Sequence, residues 1–99
     1  MSTEVNTQEK VVVALQPPRL WKVVMLNDDV TPMDLVVAIL VEVFKHDEAR
    51  AREITMDVHN SGSGVAGIFT FEVAEQKGIE ATNIARSNGS PLKIQVEQE

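Results

Sequence analysis

Apolar residues follow two kinds of spacing along the chain, and together these predict six elements in the order β-α-α-β-α-β. A strand-length apolar run covers residues 20–26 and ends at residues 27–29, whose side chains favour turns. A second strand is expected over residues 65–71, which are rich in apolar and aromatic side chains. A third is expected over residues 92–96, where apolar and polar residues alternate.

The first helix is preceded by the pattern of a capping box. Thr31 is in the position of the N-cap, Pro32 would be the first helical residue, and Asp34 follows three residues after the cap. Apolar residues then recur every three or four positions, so we expect this helix to end near His46. The face expected to be buried carries Met33, Val36, Val37, Ile39, Leu40 and Phe44.

Two further helices are expected on either side of the middle strand. Asp47 can cap a helix that runs to about Asn60. Residues 72–87 return to helical spacing, although Gly78 weakens that helix. The second helix is expected to bury Ala51, Ile54, Thr55 and Val58.

This order of elements predicts an α+β fold, in which a small three-stranded antiparallel sheet is covered on one face by three helices. Residues 1–19 are mostly polar and end at Pro17 and Pro18, so we expect a flexible N-terminal extension followed by a core domain over residues 20–99. The apolar patch at residues 11–15 leaves a short strand, or a segment that docks on a partner, as alternatives.

The composition limits the classes of protein. The chain has 99 residues, a formal net charge of -6 and 43% hydrophobic residues, which fits one small domain. It has no cysteine, which excludes disulfides and thiolate zinc sites and suits a reducing cytosol. The acidic balance argues against nucleic acid as a partner. We find no secretion signal and no apolar run near the ~18 residues of a membrane span, so we expect a soluble, cytoplasmic protein with protein partners.

The chain offers few residues for catalysis. No H-x-x-x-H or C-x-x-C spacing is present, and no phosphate-binding glycine loop follows a strand. Asp28, Asp29 and His59 leave a small metal-dependent hydrolase as an alternative, but adjacent aspartates after a strand more often form a turn, and a lone histidine near a helix end is usually a surface residue. Residues 27–33 place oxygen acceptors beside an apolar helix start, which suits a cation next to a hydrophobic group.

Four segments resemble the ClpS adaptors of the bacterial Clp protease. They occur in the same order as in that family and lie between residues 17 and 96, and in combination they are far more specific than any single motif. The matching segments are LNDDVTPM at 26–33, VH at 58–59 followed by GVAGIFT at 64–70, EVAEQK at 72–77, and SPL at 90–92.

This resemblance implies a monomeric, non-catalytic adaptor without cofactor or metal, which binds proteins whose N-terminal residue is Leu, Phe, Tyr or Trp and delivers them to the ClpA unfoldase. The cationic α-amino group would be bound by Asn27, Asp28 and His59. Glu72 and Lys77 would contact the N-terminal domain of the unfoldase. The hydrophobic pocket would be lined by Thr31, Met33, Val36, Thr55, Val58 and Leu92.

Two pocket positions carry the expected selectivity. Met33 matches a gatekeeper that crowds the β-carbon of an entering residue and so rejects Val and Ile. Thr55 stands where the family commonly has methionine, so we expect aromatic N-termini to be preferred over Leu.

A ribosome-associated or stalk-like interaction domain is a second alternative, since a similar small fold occurs there. The oxygen acceptors within residues 27–33 favour the adaptor over this alternative.

Overall fold

The computed structural model describes residues 17–99, which form three strands and three helices. The order is β-α-α-β-α-β, and all strand pairs are antiparallel, so the predicted fold class is confirmed. The elements are β1 (Trp21–Leu26), α1 (Met33–Glu42), α2 (Glu48–Ser61), β2 (Ser63–Phe69), α3 (Phe71–Ser87) and β3 (Lys93–Gln98).

The central strand of the sheet is β1, with β2 on one side and β3 on the other. Val23 of β1 lies opposite Gly67 on β2 and Val96 on β3. In this packing α3 lies against all three strands, α2 lies against β2, and α1 packs on α2 and α3. Each large side chain removed from water contributes roughly 1.5–3 kcal/mol to the common apolar core. The largest fully buried side chains are those of Val23, Met25, Ile39, Leu40, Val43, Ile54 and Leu92.

The start of α1 differs from the predicted capping box. Pro32 is the N-cap, and its carbonyl accepts from the backbone N–H of Leu35 at 3.1 Å and of Val36 at 3.4 Å. Thr31 does not cap the helix: its hydroxyl donates to the carboxylate of Asp28 at 2.7 Å and lies 2.6 Å from the hydroxyl of Ser90. Capping by Thr31 was therefore a wrong prediction, because the oxygen that would accept a backbone N–H of α1 is bound to these two groups instead.

The end of α1 also differs, since the helix stops at Glu42 and not near His46. Lys45 has a φ of 60°, in the left-handed region, which a right-handed helix cannot contain. Phe44 is buried as predicted, although it lies beyond the helix. Met33, which was expected on the buried face, is 38% exposed.

The second helix follows the sequence closely. The carboxylate of Asp47 accepts from the backbone N–H of Arg50 at 2.7 Å, so the predicted N-cap is confirmed. Gly62 ends the helix with a φ of 88°, and the chain enters β2 at once at Ser63, earlier than predicted. The side chains predicted to point inward, Ala51, Ile54, Thr55 and Val58, are all buried.

Only residues 17–19 of the predicted N-terminal extension fall within the described part of the chain. They are exposed and belong to no helix or strand. The apolar patch at 11–15 lies outside the described residues. Between residues 17 and 99, no helix is both long and apolar enough to cross a membrane.

Candidate functional site

A pocket of about 360 Å³ lies where the β1–α1 loop, α1, α2 and the residue before β3 meet. It brings together all nine residues that the resemblance places at the amine site and the hydrophobic pocket, and it adds Asp29. Residues that are up to 65 positions apart in the sequence therefore share one small cavity, from Asn27 to Leu92. The lining consists of Asn27, Asp28, Asp29, Thr31, Met33, Val36, Thr55, Val58, His59 and Leu92.

The pocket has a buried apolar part and an exposed polar part. Val36, Thr55, Val58 and Leu92 are buried, so they can contact only what enters the cavity or the core behind it. The side chains nearer to solvent are Asn27, Asp29, Met33 and His59, which are exposed, and Asp28 and Thr31, which are half-buried. The arrangement suits a ligand with a hydrophobic end and a polar, hydrogen-bonding end.

Asp28 is held in place by its own loop. One carboxylate oxygen accepts from the backbone N–H of Val30 at 2.8 Å and of Thr31 at 2.6 Å. The other accepts from the hydroxyl of Thr31 at 2.7 Å. These three bonds fix the side chain and leave the carboxylate able to accept about one more from a ligand, since an ionised carboxylate can accept about four hydrogen bonds.

The same surroundings keep Asp28 charged. Burial of the carboxyl would raise its pKa, but the hydrogen bonds from Thr31 and Val30 and the positive charge of Arg86 outweigh burial and lower the pKa below its usual value of 3.8. Asp28 is therefore an anion at neutral pH. A fixed anion at the polar part of an apolar pocket favours a cationic donor group.

The polar part of the pocket is assembled by the end of α2. The backbone N–H of Asn27 donates to the carbonyl of Gly62 at 2.9 Å, which ties the β1–α1 loop to that helix end. His59 lies in the last turn of α2. The carbonyl end of a helix carries partial negative charge, so this end too favours a cation.

Thr55 lies in the wall of the pocket and uses its hydroxyl inside α2. The hydroxyl donates to the carbonyl of Ala51 at 2.8 Å, so its single proton is not available to a ligand. The side chain is also short. Thr55 therefore leaves room in the pocket where a longer side chain would project into it.

Glu72 and Lys77 do not line the pocket. Glu72 is exposed in the first turn of α3. Lys77 is half-buried, and its ammonium group donates to the carbonyl of Val43, the C-cap of α1, at 2.8 Å and lies 5.5 Å from the centre of the Phe69 ring. The carbonyl at the end of α1 needs a donor from outside that helix, and Lys77 supplies it.

The structure gives no support to the metal-dependent hydrolase. Asp28, Asp29 and His59 line the same pocket. Within residues 17–99, however, no three His, Asp or Glu side chains lie close enough together to hold a metal ion.

Sequence reasoning did not single out Ser90 and Arg86. Ser90 is 4% exposed and its hydroxyl lies 2.6 Å from that of Thr31. Arg86 donates to the carbonyls of Ser90 at 2.9 Å and of Leu92 at 2.8 Å. Both residues follow helical or turn patterns in the sequence, which does not reveal the contact between the chain before β3 and the loop after β1.

Known proteins give the class to which this fold and pocket belong. The family model described as "ATP-dependent Clp protease adaptor protein ClpS" matches residues 16–95. The ATP-dependent Clp protease adapter protein ClpS of Bdellovibrio bacteriovorus is 44% identical over 98 residues, which are 99% of this chain and 86% of that protein. The protein of the same name from Deinococcus radiodurans is 48% identical over 82 residues, which are 83% of this chain and 73% of that protein.

Among solved structures, ClpS2 of Agrobacterium tumefaciens bound to L-phenylalaninamide superimposes with a TM-score of 0.81 and 38% sequence identity. The match covers 84% of this chain and all of that chain. The class is thus that of adaptor proteins of the ATP-dependent Clp protease. This chain belongs to the ClpS family.

Proposed function

We propose that the chain binds substrate proteins by a bulky hydrophobic N-terminal residue, Leu, Phe, Tyr or Trp, and delivers them to a ClpA-type unfoldase for degradation. The observation that carries this proposal is the ionised, fixed carboxylate of Asp28 beside an apolar cavity of about 360 Å³. An N-terminal residue has the matching chemistry, because its α-amino group is a cation directly next to its own side chain.

The proposed ligand agrees with the similar solved structure. ClpS2 of Agrobacterium tumefaciens is bound to L-phenylalaninamide, which has a free amino group, an aromatic side chain and a carboxamide. A peptide that begins with phenylalanine presents the same three groups. In this chain we assign the amine to Asn27, Asp28 and His59, and the side chain to the cavity bounded by Val36, Thr55, Val58 and Leu92.

Met33 is proposed to select against β-branched residues. It lines the pocket and is 38% exposed, so it stands at the entrance and not in the floor. A Val or Ile residue carries a second heavy atom on its β-carbon, which would meet Met33 as the residue enters. Selectivity would then come from exclusion as well as attraction.

The partner surface is proposed to be separate from the pocket. Glu72 and Lys77, at the start of α3, would contact the N-terminal domain of the unfoldase. Glu72 is exposed and can interact directly, whereas the ammonium group of Lys77 is bound to Val43, so part of its role is to hold α3 against the end of α1. The protein would act as a cytoplasmic monomer and perform no chemistry itself.

The experiment that tests the ligand uses peptides that differ only in their first residue. We expect fluorescence anisotropy to show binding of labelled peptides that begin with Phe, Trp, Tyr or Leu, and little binding of those that begin with Val, Ser or Glu. The acetylated Phe peptide is the matched control, because it keeps the ring and loses the positive charge. Equal binding of the free and acetylated peptides would contradict the proposal.

The partner is tested separately with the isolated N-terminal domain of a ClpA-type unfoldase. We expect Glu72→Ala to weaken binding to that domain several-fold and to leave peptide affinity unchanged, since the two sites share no residue. The exposed Glu80→Ala, further along α3, is the control. Equal loss of both activities in Glu72→Ala would instead indicate a damaged fold.

A further inference from the structure

A chain of hydrogen bonds connects the fixed carboxylate to the segment before β3. The hydroxyl of Thr31 lies 2.7 Å from the Asp28 carboxylate and 2.6 Å from the hydroxyl of Ser90. The oxygen of Ser90 in turn accepts from the backbone N–H of Leu92 at 3.1 Å. Ser90 is buried, with 4% exposure, so water does not replace these bonds easily.

The two ends of this chain determine the direction of every bond in it. The N–H of Leu92 can only donate, and the ionised carboxylate of Asp28 can only accept. The hydroxyl of Thr31 has one proton, which goes to Asp28, so its oxygen must accept the proton of Ser90. Ser90 therefore donates to Thr31 while it accepts from Leu92, and each bond polarises the next in the same direction.

The segment that carries Ser90 is itself held in place. Arg86, in the last turn of α3, donates to the carbonyls of Ser90 and Leu92 at 2.9 and 2.8 Å. Leu92 is buried and lines the pocket. The hydrogen-bond chain thus begins at Leu92, in a segment that is held by α3 and lines the pocket. It ends at the carboxylate of Asp28, in the polar part of the pocket.

We propose that Ser90 is a positioning residue for N-terminal amine binding: through Thr31 it orients the carboxylate of Asp28 toward the ligand, without touching the ligand itself. This inference rests on the proposed function, because it takes Asp28 as the acceptor of the amine. Ser90 acts on the group that every N-terminal residue shares. Loss of Ser90 therefore lowers the affinity for Phe-initiated and for Leu-initiated peptides by the same factor.

The test compares Ser90→Ala with wild type by anisotropy with Phe- and Leu-initiated peptides. We expect a loss of roughly three- to tenfold for both, the size of one net hydrogen bond, and an unchanged ratio between the two peptides. Ser90→Thr keeps the hydroxyl and should restore affinity. Ser87→Ala is the matched control, since Ser87 is exposed at the end of α3 and should behave as wild type.

A double-variant cycle separates positioning from a general structural effect. Thr31→Val removes the link between Ser90 and Asp28, so adding Ser90→Ala to Thr31→Val should change affinity by less than about twofold, because the two residues act through one network. Melting curves of all variants check the fold. If Ser90→Ala melts early, Ser90→Cys keeps the volume, weakens the donor and takes its place in the cycle.

The outcomes distinguish this inference from the proposed function. A wild-type protein that binds no free N-terminus would overturn the proposed function, and this inference with it. A wild type that binds, together with a folded Ser90→Ala variant of equal affinity, would overturn only the role of Ser90. Fully additive losses in the cycle, or a loss confined to one of the two peptides, would also overturn it.

Discussion

Two hollows of similar volume on this small protein differ in their polar groups. The pocket next to α1 and α2 has about 360 Å³, and a groove between α3 and β3 has about 310 Å³. Both contain apolar side chains, so size and apolarity alone do not distinguish them. The groove is lined by Glu75, Gly78, Ile79, Thr82, Asn83, Ile94 and Val96.

The difference lies in how each carboxylate is held. Asp28 is half-buried and receives three hydrogen bonds from its own loop, whereas Glu75 is exposed on the surface of α3. An ion pair with an exposed carboxylate contributes only about 0–1 kcal/mol, because it is screened and must order a flexible side chain. A hydrogen bond to a fixed charged group contributes about 1.5–3 kcal/mol. The proposed site for an N-terminus therefore depends on a preorganised anion more than on a cavity.

The largest effect is expected from Asp28→Ala. The variant should lose roughly 10- to 150-fold in affinity for a Phe-initiated peptide, because it removes a charge-assisted bond to the amine. The matched variant in the groove, Glu75→Ala, should leave affinity unchanged. Isothermal titration calorimetry measures both. Asp28→Ala with wild-type affinity, and an acetylated peptide that still does not bind, would place the amine site elsewhere.

Met33→Ala should have the next largest effect, and in the opposite direction. Removing the crowding side chain should improve the binding of Val- and Ile-initiated peptides by about 1–3 kcal/mol, the usual cost of overpacking. The measurement is the affinity of both peptides for the variant and for wild type. Met56→Ala, an exposed methionine outside the pocket, is the control. A variant that merely loses Phe and Leu binding would show that Met33 attracts ligands and does not exclude them.

Much of the fold could be predicted because local patterns fix it. Asp47 caps α2 as predicted, because its carboxylate accepts from the backbone N–H of Arg50, only three residues along the chain. Thr31 failed as a cap because a residue distant in sequence, Ser90, and the carboxylate of Asp28 both bind its hydroxyl. Local patterns cannot report such contacts, which depend on how the chain before β3 packs against the loop after β1.

The candidate site was predictable in its residues but not in its geometry. The family motifs name Asp28, Thr31 and Leu92, and the structure brings them into one pocket. The motifs do not tell that Asp28 is bound to its own loop, or that Lys77 reaches the end of α1. These features depend on side-chain direction and burial, which follow from the tertiary packing.

Gly78→Ala tests whether a change in the groove alters the stability of the fold without altering peptide binding. Gly78 is buried inside α3, and a β-carbon there would lie 3.4 Å from Val96 and 3.9 Å from Ile94, in ordinary contact. Since glycine in a helix interior costs up to about 1 kcal/mol relative to alanine, the variant should be more stable by up to that amount. Denaturant unfolding measures the gain. Peptide affinity should not change, and a change in affinity would show that groove and pocket are coupled.

The smallest expected effect concerns selectivity within the pocket. Thr55 is short and its hydroxyl is bound to Ala51, so it leaves space that a Leu ligand cannot fill but an aromatic ring can reach. At about 25 cal/mol per Å², some 40 Å² of lost contact approaches 1 kcal/mol, or roughly fivefold. Wild type should therefore prefer Phe over Leu, and Thr55→Met should reduce that preference about two- to fivefold, because the free energy regained is proportional to the contact area regained. Competition between the two peptides measures the ratio directly.

The control is Thr82→Met, in which the exchanged threonine lines the groove and likewise donates to a helix carbonyl, that of Gly78. A Phe to Leu ratio that stays the same in Thr55→Met would mean that Thr55 does not shape the pocket, and a change of equal size in Thr82→Met would mean that the effect does not arise there.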